Sequence, residues 1–351
     1  MTSAAHSAVR PAPPIAAFLA RHGLANAHLE PLAGDASARR YFRLPDKGLL
    51  LMEDREDLVG FAAYVRLSRH LLSLGLSAPR VHGADPSTGL GLVEDFGADT
   101  YSKCLSEGTS EADLYGLAVD ALLHLHHDVH GAEVACPEYD MATYLAELDI
   151  FSQWFAPAVS PSLDRSVFQE TFRTLWAEAL APLQDCAQTL VLRDFHVDNL
   201  MYLPERTDVA RCGLLDFQDG ILGPCEYDLV SLLQDARRDL APGLEAALLG
   251  RYVANAPARL GGPAAIRQRY ALLGAQRHAR IAGVFVRLAK RDRKTQYLAF
   301  LPRVLRQLES ALSDAGLVEI KDFLNTQLPG WAAKGKALGP PSQENEGMIH
   351  V

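Results

Sequence analysis

The spacing of apolar residues changes near Gly97, and this change limits the folds that the chain can adopt. Before it, "PLAGDASARRYFRL" predicts a strand, a turn and a second strand, and "GLLLMED" predicts a third strand. "REDLVGFAAYVRLSRHLLSLG" has apolar residues at helical spacing and stops at Gly75, which predicts an amphipathic helix. Two more strands are predicted around the turn from Asp85 to Gly89. The first part is therefore a small, mostly antiparallel sheet with one inserted helix.

Helical spacing dominates the rest of the chain. Six segments have it: "EADLYGLAVDALLHLHHDVH", "ATYLAELDIFSQWF", "SVFQETFRTLWAEALAPLQ", "YDLVSLLQDAR", "LEAALLGRYVAN" and "AIRQRYALLGAQRHARIAGVFVRLAKRD". A single segment that predicts strands, residues 189–220, interrupts them. These patterns predict an α+β chain of two lobes, a small β-rich lobe at residues 15–96 and a larger helical lobe at residues 97–325. A loose leader at residues 1–14 and a tail at 326–351 complete the expected organisation, and the cleft between two lobes commonly binds ligands.

Charge and composition exclude several classes of function. The formal net charge of −9 argues against nucleic acid or an anionic membrane as the main partner, although a local cationic pocket for phosphate remains possible. The sequence contains no apolar run long enough to span a bilayer and no signal peptide. Its five cysteines are scattered, so they form neither a disulfide framework nor a CxxC metal site. We therefore expect a cytoplasmic protein, a monomer, that acts on a small molecule.

The stretch "LRDFHVDNL" at residues 192–200 contains candidate catalytic and metal-binding residues. Apolar strands flank it, and "PERTD" turns the chain back into a strand from Cys212 to Leu215, so the hairpin is expected to bring Asn199 beside Asp216. Two such oxygen ligands suit Mg²⁺, which completes its shell with water and substrate phosphates. Asp194 would lie on the same loop, able to accept a proton from an attacking hydroxyl. The alternative is that these polar residues satisfy local backbone donors.

The segments "LRDFHVDN" and "LLDFQD" resemble the catalytic loop and metal-binding segment of protein-kinase-like enzymes. Their form is most similar to the aminoglycoside phosphotransferase and choline kinase superfamily. Together with "AGDASARRYFRL" and "QRHARIAGVFVRLAKRD", they resemble bacterial kinases that phosphorylate N-acetylmuramic acid and N-acetylglucosamine at C1 during cell-wall sugar recycling. This resemblance covers roughly residues 25–310. It implies a bilobal protein-kinase-like fold with a nucleotide-binding first lobe and a second lobe that binds the acceptor.

The resemblance also implies roles for individual residues. ATP and Mg²⁺ would be the cofactors, with Asp194 as the base and with Asn199 and Asp216 as metal ligands. Glu94 and Phe96, at the junction of the two lobes, would offer backbone groups to the adenine. The acceptor would be the anomeric hydroxyl of a free amino sugar, which is more acidic than an alkyl alcohol and needs only an ordinary carboxylate as base.

Two positions depart from the pattern of kinases. Leu192 stands where the family has a histidine that braces the catalytic loop, so the loop must be held in another way. The strand "GLLLMED" has no lysine where typical kinases hold the α- and β-phosphates, and Met52 lies near that position. The sugar-kinase subgroup also lacks this lysine, so the second departure agrees with the narrower resemblance.

The turn that begins at Gly34 is the candidate for binding the phosphates instead. The backbone N–H groups of Ser37 and Ala38 could form an anion-binding nest, and Arg39 and Arg40 could supply positive charge. The turn lacks the G-x-G-x-x-G pattern, so an ordinary hairpin turn with solvated arginines is an equal alternative.

Three residues are candidates for the acceptor site: Arg193, Asp219 and Arg277. Arg277 lies within a predicted amphipathic helix, where a buried arginine would need a carboxylate partner. That partner could be Asp194, Asp219 or Asp228, any of which would bring Arg277 close to the active site.

Two other functions remain open. One is phosphoryl transfer to another acceptor, such as an aminoglycoside, choline or a different aldose. The other is a pseudokinase that binds nucleotide without turnover, which the missing lysine and histidine favour and the intact Asp194, Asn199 and Asp216 oppose.

Overall fold

The first lobe is built on an antiparallel sheet in the order β1-β2-β3-β5-β4. The computed structural model describes residues 12–32 and 39–339. Helix α1 (Pro13–Arg21) precedes the sheet, and α2 (Leu58–Ser73) is inserted between its third and fourth strands. The predicted strands and the inserted helix are confirmed. The strands are Glu30–Pro31, Arg40–Leu44, Leu49–Glu53, Val81–Asp85 and Leu90–Glu94, numbered β1 to β5.

The pairing of β2 with β3 decides where the expected lysine position lies. Tyr41 is paired with Met52, and the connecting turn ends at Gly48, whose φ of +62° is the left-handed conformation that glycine adopts without strain. The Met52 side chain is completely buried and belongs to the same apolar cluster as Phe61 of α2. Position 52 therefore contributes to the core and presents no group to the cleft.

The second lobe is mainly helical. The six predicted helical segments all contain helices, and five further helices of this lobe, α3, α6, α11, α12 and α13, were not predicted. In chain order the helices are Tyr101–Ser106 (α3), Glu111–His127 (α4), Met141–Ile150 (α5), Ala156–Val159 (α6), Arg165–Leu180 (α7), Glu226–Leu233 (α8), Leu244–Asn255 (α9), Pro263–Arg291 (α10), Leu301–Asp314 (α11), Val318–Gln327 (α12) and Trp331–Lys336 (α13). Among the described residues, no helix is both long enough and apolar enough to cross a membrane.

Four short strands interrupt these helices, as two separate antiparallel pairs. They are Gln188–Val191 (β6), Leu200–Tyr202 (β7), Cys212–Leu214 (β8) and Ile221–Pro224 (β9). Strand β7 is paired with β8, as predicted, whereas β6 is paired with β9, which was not predicted because glycine and proline occupy half of it. The two pairs support the two ends of the loop at residues 192–199.

Two apolar clusters stabilise the molecule. The smaller one lies between α1 and the sheet and contains Ile15, Phe18, Leu19, Leu29, Leu44, Leu51, Leu90 and Leu92. The larger one extends from α2 through the helical lobe. Helix α1 already begins at Pro13, and α13 reaches Lys336 within the expected tail, so secondary structure extends into both expected end segments. The limits of the two lobes stay predictions.

Helix α10 crosses the end of α5 at very short range. Beyond α5 the chain continues through a widened π turn at Phe151–Phe155. A Cβ atom on Gly283 of α10 would lie 2.5 Å from the carbonyl carbon and oxygen of Ile150 and 2.6 Å from the amide nitrogen of Phe151. These are backbone atoms, which cannot rotate away as a side chain could. Only glycine therefore fits at this crossing.

Gly283→Ala should lower the free energy of unfolding by about 3 kcal/mol, the upper end of the usual cost of overpacking. Urea unfolding followed by circular dichroism measures this. Gly250→Ala is the matched control, because Gly250 lies within α9 and a Cβ there would meet no atom within 4 Å. That control should raise the free energy of unfolding by up to about 1 kcal/mol through helix propensity. Equal stability of the two variants would show that the crossing tolerates a methyl group.

Candidate active site

The β7–β8 hairpin brings the two predicted metal ligands to the same end of a strand pair. Leu200 is paired with Leu214, and just beyond this pair the amide of Leu215 donates to the carbonyl oxygen of Asn199 at 2.9 Å. Asp216 follows directly. The expected convergence of Asn199 and Asp216 therefore rests on a formed hairpin.

Asp194 holds its loop through its backbone, which leaves its side chain free. The Asp194 carbonyl oxygen accepts hydrogen bonds from the Asn199 side-chain amide at 3.0 Å and from the His196 backbone amide at 3.1 Å. The Asp194 carboxylate is half-buried, and no hydrogen bond or ion pair to it occurs among the described residues. Its position suits a group that meets a substrate.

Asp216 lies in a crowded, negatively charged environment. Its φ is +56°, and its carboxylate accepts a hydrogen bond from the Gln218 side chain at 2.8 Å. Solvent reaches the side chain, yet the surrounding protein raises the pKa of Asp216, and the charge of Asp194 acts in the same direction. Asp219, which is exposed, adds a smaller effect of the same sign. A cation bound here would relieve this repulsion.

The residues at this position fit Mg²⁺. The Asn199 amide nitrogen is already engaged with Asp194, so its side-chain oxygen is the atom left to bind an ion. Asp216 supplies a carboxylate whose pKa is raised, mainly by burial and also by the nearby charge of Asp194. One amide oxygen and one carboxylate are hard ligands of the kind that Mg²⁺ takes when phosphates and water complete its shell.

Asp228 holds the start of the loop at residues 192–199, where Leu192 replaces the histidine of the family. Its carboxylate accepts hydrogen bonds from the backbone amides of Leu192 at 2.7 Å and of Arg193 at 2.9 Å. Complete burial raises the pKa of Asp228 to about 7, against the opposing effect of these two bonds. Arg193 has a φ of +69°, a conformation that needs such support. Leu192 itself is buried in the core, so apolar packing and Asp228 together hold the start of the loop.

Arg277 reaches the same loop through a hydroxyl group. Its guanidinium donates to the Ser231 hydroxyl at 2.8 Å, and that hydroxyl donates to the carbonyl oxygen of Arg193 at 3.1 Å. The expectation of a direct carboxylate partner is therefore corrected: Asp228 is near enough for Arg277 to lower its pKa, but Ser231 is the hydrogen-bonded partner. Arg277 is buried and supports the loop backbone, and its contact with the acceptor stays a prediction.

Glu147 was not predicted, and it joins four residues beside the loop. One of its oxygens pairs with Arg193 and lies 3.5 Å from Arg280. The other accepts hydrogen bonds from the Tyr139 hydroxyl at 2.5 Å and from the Gln276 amide at 3.1 Å. The only signal in the sequence was an acidic residue on the apolar face of α5, where a buried carboxylate requires partners.

Of the two candidate arginines near the predicted phosphate turn, only Arg39 faces the cleft. It donates to Asp54 at 2.8 Å and to the side chain of Gln218, the residue that contacts Asp216, at 2.9 Å. Arg40 instead pairs with Glu53 and is largely exposed. Three residues of the predicted turn lie outside the described residues: Gly34, Ser37 and Ala38.

The junction between the lobes uses some of the groups that were expected to bind adenine. The Glu94 amide donates to Arg80 at 2.9 Å, and the Glu94 carboxylate pairs with Arg206. The Arg206 guanidinium lies 4.9 Å from the centre of the Phe96 ring. Among the described residues no partner hydrogen-bonds to the Phe96 amide, so this N–H remains available to a ligand.

Comparisons with known proteins agree with this geometry. A family model described as "Phosphotransferase enzyme family" matches residues 28–268, more than half of the chain. A protein of Caulobacter vibrioides named N-acetylmuramate/N-acetylglucosamine kinase is 35% identical over 350 residues, which cover 90% of this chain and 96% of that protein. A protein of Neisseria meningitidis with the same name is 34% identical over 288 residues, 79% of this chain and 83% of that protein.

Solved structures show the same fold. A choline/ethanolamine kinase family protein from Mesorhizobium loti has a TM-score of 0.56 at 16% identity, covering 92% of this chain and 98% of that chain. An ADP-bound aminoglycoside phosphotransferase has a TM-score of 0.56 at 14% identity, covering 87% and 99%. The fold is thus protein-kinase-like, and the resemblance inferred from the sequence is confirmed. The chain is an enzyme that transfers phosphate, and it belongs to the phosphotransferase enzyme family.

Proposed function

We propose that this enzyme transfers the γ-phosphoryl group of ATP to the anomeric hydroxyl of free N-acetylmuramic acid or N-acetylglucosamine. The observation that carries the proposal is the name shared by the curated relatives, at 30–35% identity. Their matches cover 79–90% of this chain, including the loop and hairpin of the candidate active site.

Each residue of the loop and hairpin has a role in this proposal. Asp194 orients the acceptor hydroxyl and takes its proton, since its carboxylate is free of protein partners. Asn199 and Asp216 hold Mg²⁺, which neutralises charge on the phosphates when bound. Arg39 lies beside the Asp216 loop and supplies the positive charge that β3 lacks. The two lobes thus contribute to one phosphate site.

Nucleotide would bind at the junction of the lobes. The free Phe96 amide is the donor proposed for the adenine, and the half-buried Phe96 ring gives it an apolar surface. Glu94 would help indirectly by holding Arg206 over that ring. For the residues of the turn at 34–38, phosphate binding stays a prediction.

The charge near Asp194 favours a neutral or anionic acceptor over a polycationic one. Arg237 and Arg280 both lie close enough to influence Asp194 electrostatically, and Arg193 adjoins it in the chain. Arg193 and Arg280 share the single carboxylate of Glu147, so this side of Asp194 offers a polycationic acceptor less attraction than a pocket lined with free carboxylates would. An amino sugar whose amine is acetylated carries no such charge.

Blocking the anomeric hydroxyl should abolish the reaction. N-acetylglucosamine and N-acetylmuramic acid should be phosphorylated with Mg²⁺-ATP, whereas their 1-O-methyl glycosides should not, because the methyl group removes the nucleophile. Release of ADP measures the rate. Mild acid should cleave the product, as expected of a glycosyl phosphate.

Each free sugar is the control for its own methyl glycoside, since the methyl group leaves the rest of the sugar ring unchanged. Equal rates on the methyl glycoside and the free sugar would disprove phosphorylation at C1 and leave a sugar kinase of different regiochemistry. Absence of turnover on any free sugar, with nucleotide still bound, would disprove the sugar acceptor and leave only the assignment to the phosphotransferase family.

A further inference from the structure

Three arginines, Arg193, Arg280 and Arg287, lie close enough to interact electrostatically beside the loop at residues 192–199, although the whole chain has a formal net charge of −9. Arg193 and Arg280 share a single carboxylate, that of Glu147. Arg280 also donates a hydrogen bond at 3.2 Å to the hydroxyl of Tyr227, which is neutral. Arg193, Arg280 and Glu147 alone therefore have an excess of one positive charge, and the Asp194 carboxylate lies close enough to interact with Arg280.

Arg287 adds a further positive charge that has no carboxylate partner, on the face of α10 that also carries Arg280. It follows Arg280 by seven residues, or two helical turns, a rise of about 10 Å. No hydrogen bond or ion pair of Arg287 occurs within the part of the chain that the structure describes, and its Nε atom is shielded from solvent without a partner. The charge of Asp292 acts on Arg287, but the Asp292 carboxylate accepts hydrogen bonds from two nitrogens of the Arg291 guanidinium, at 2.7 and 2.9 Å.

The electrostatics agree with this geometry. Partial burial lowers the pKa of Arg287 below the usual arginine value, and the charges of Arg291 and Arg280 act in the same direction. An arginine that is repelled by its neighbours and has no carboxylate partner is stabilised when an anion binds to it. Arg287 and Arg280 are thus close enough for their charges to interact.

We propose that Arg287, next to the Arg280–Glu147 pair, forms a subsite for a carboxylate substituent of the sugar. This inference rests on the proposed function. N-acetylmuramic acid carries a lactyl ether with a carboxylate on C3, whereas N-acetylglucosamine has a hydroxyl there and is otherwise the same. With C1 at Asp194, the lactyl carboxylate would extend across the ring toward the positive face of α10. Arg287 is thus a residue that determines preference between the two sugars.

The test compares the two sugars in the wild type and in Arg287→Gln. For N-acetylmuramic acid, kcat/KM should fall by about 10- to 100-fold, the usual effect of removing a charged hydrogen-bond partner. For N-acetylglucosamine, kcat/KM should change by less than about 3-fold, because that sugar has no group for the arginine. Lys290→Gln is the matched control, since Lys290 is an exposed cation on the same helix end. Lys290→Gln should leave the ratio of kcat/KM for N-acetylmuramic acid to kcat/KM for N-acetylglucosamine unchanged.

A second measurement does not depend on the folding of a variant. The methyl ester of N-acetylmuramic acid, tested with the wild type, should lose most of the contribution that the carboxylate makes to kcat/KM. Equal losses on both sugars would overturn the proposal and make Arg287 a structural residue. An unchanged ratio in Arg287→Gln, or equal rates on acid and ester, would also overturn it while leaving the sugar kinase function intact. Turnover of neither sugar by the wild type would instead refute the proposed function and, with it, this subsite.

Discussion

Asp216→Ala is expected to reduce kcat by at least about 10³-fold, because it removes the only carboxylate among the two proposed Mg²⁺ ligands. A metal ion contributes several kcal/mol to the stabilisation of transferred phosphate, and each 1.4 kcal/mol corresponds to a factor of ten in rate. The fold should survive, since the Asp216 side chain is exposed and is repelled by Asp194. ADP release at increasing Mg²⁺ concentrations measures the loss.

The backbone at this position requires a control. Asp216 has a φ of +56°, so alanine adds strain of about 1 kcal/mol that could be mistaken for an effect on the metal. Asp208→Ala is matched to it, because Asp208 also has a positive φ, +50°, and lies exposed at the far end of the β7–β8 hairpin. Asp208→Ala should be as strained as Asp216→Ala but should keep its activity. Near-normal activity of Asp216→Ala in Mg²⁺ would refute the metal site.

The parts of the site that were predictable from sequence are those encoded locally. The β7–β8 hairpin follows from two apolar segments joined by a short polar turn, and it fixes the neighbourhood of Asn199 and Asp216 without any knowledge of the rest of the fold. Helix α11 was equally predictable, since Leu301, Val304, Leu305, Leu308 and Leu312 follow helical spacing, but it was not among the predicted helices.

The residues that support the site could not be found in this way, because their partners are distant in the chain. Asp228 holds amides 35 and 36 positions before it, and Glu147 reaches Arg193 across 46 positions. Arg39 contacts Gln218 across 179 positions, from one lobe to the other. Such contacts depend on how helices and lobes pack, and the pattern of each segment carries no information about that packing.

The same reason explains the two departures from the kinase pattern. A missing histidine at position 192 and a missing lysine near position 52 both appear as losses in the sequence. In the folded chain Asp228 braces the loop, and Arg39 lies at the cleft beside the Asp216 loop. Replacement of a family residue therefore need not remove its physical effect when another element can supply it from a different position.

Asp194→Asn should separate catalysis from nucleotide binding. The change preserves size and removes the ability to accept a proton, so kcat should fall by about 10²- to 10⁴-fold, the usual range for loss of a general base. The loop should keep its shape, because its bonds from Asn199 and His196 go to the backbone carbonyl of Asp194 and not to the carboxylate. Nucleotide affinity should not weaken either, since a neutral side chain reduces the repulsion felt by Asp216.

Two measurements test this separation. Fluorescence titration with Mg²⁺-nucleotide gives the affinity, and ADP release at saturating ATP and N-acetylglucosamine gives kcat. Asp198→Asn is the matched control, because Asp198 is exposed on the same loop, four residues later, and faces Arg237 at 3.5 Å. It should change kcat by less than about 3-fold, as expected of an exposed ion pair. Parallel losses of affinity and rate in Asp194→Asn would make Asp194 a metal ligand or a structural residue, because a base that acts only on the acceptor hydroxyl has no contact with the nucleotide in the ground state.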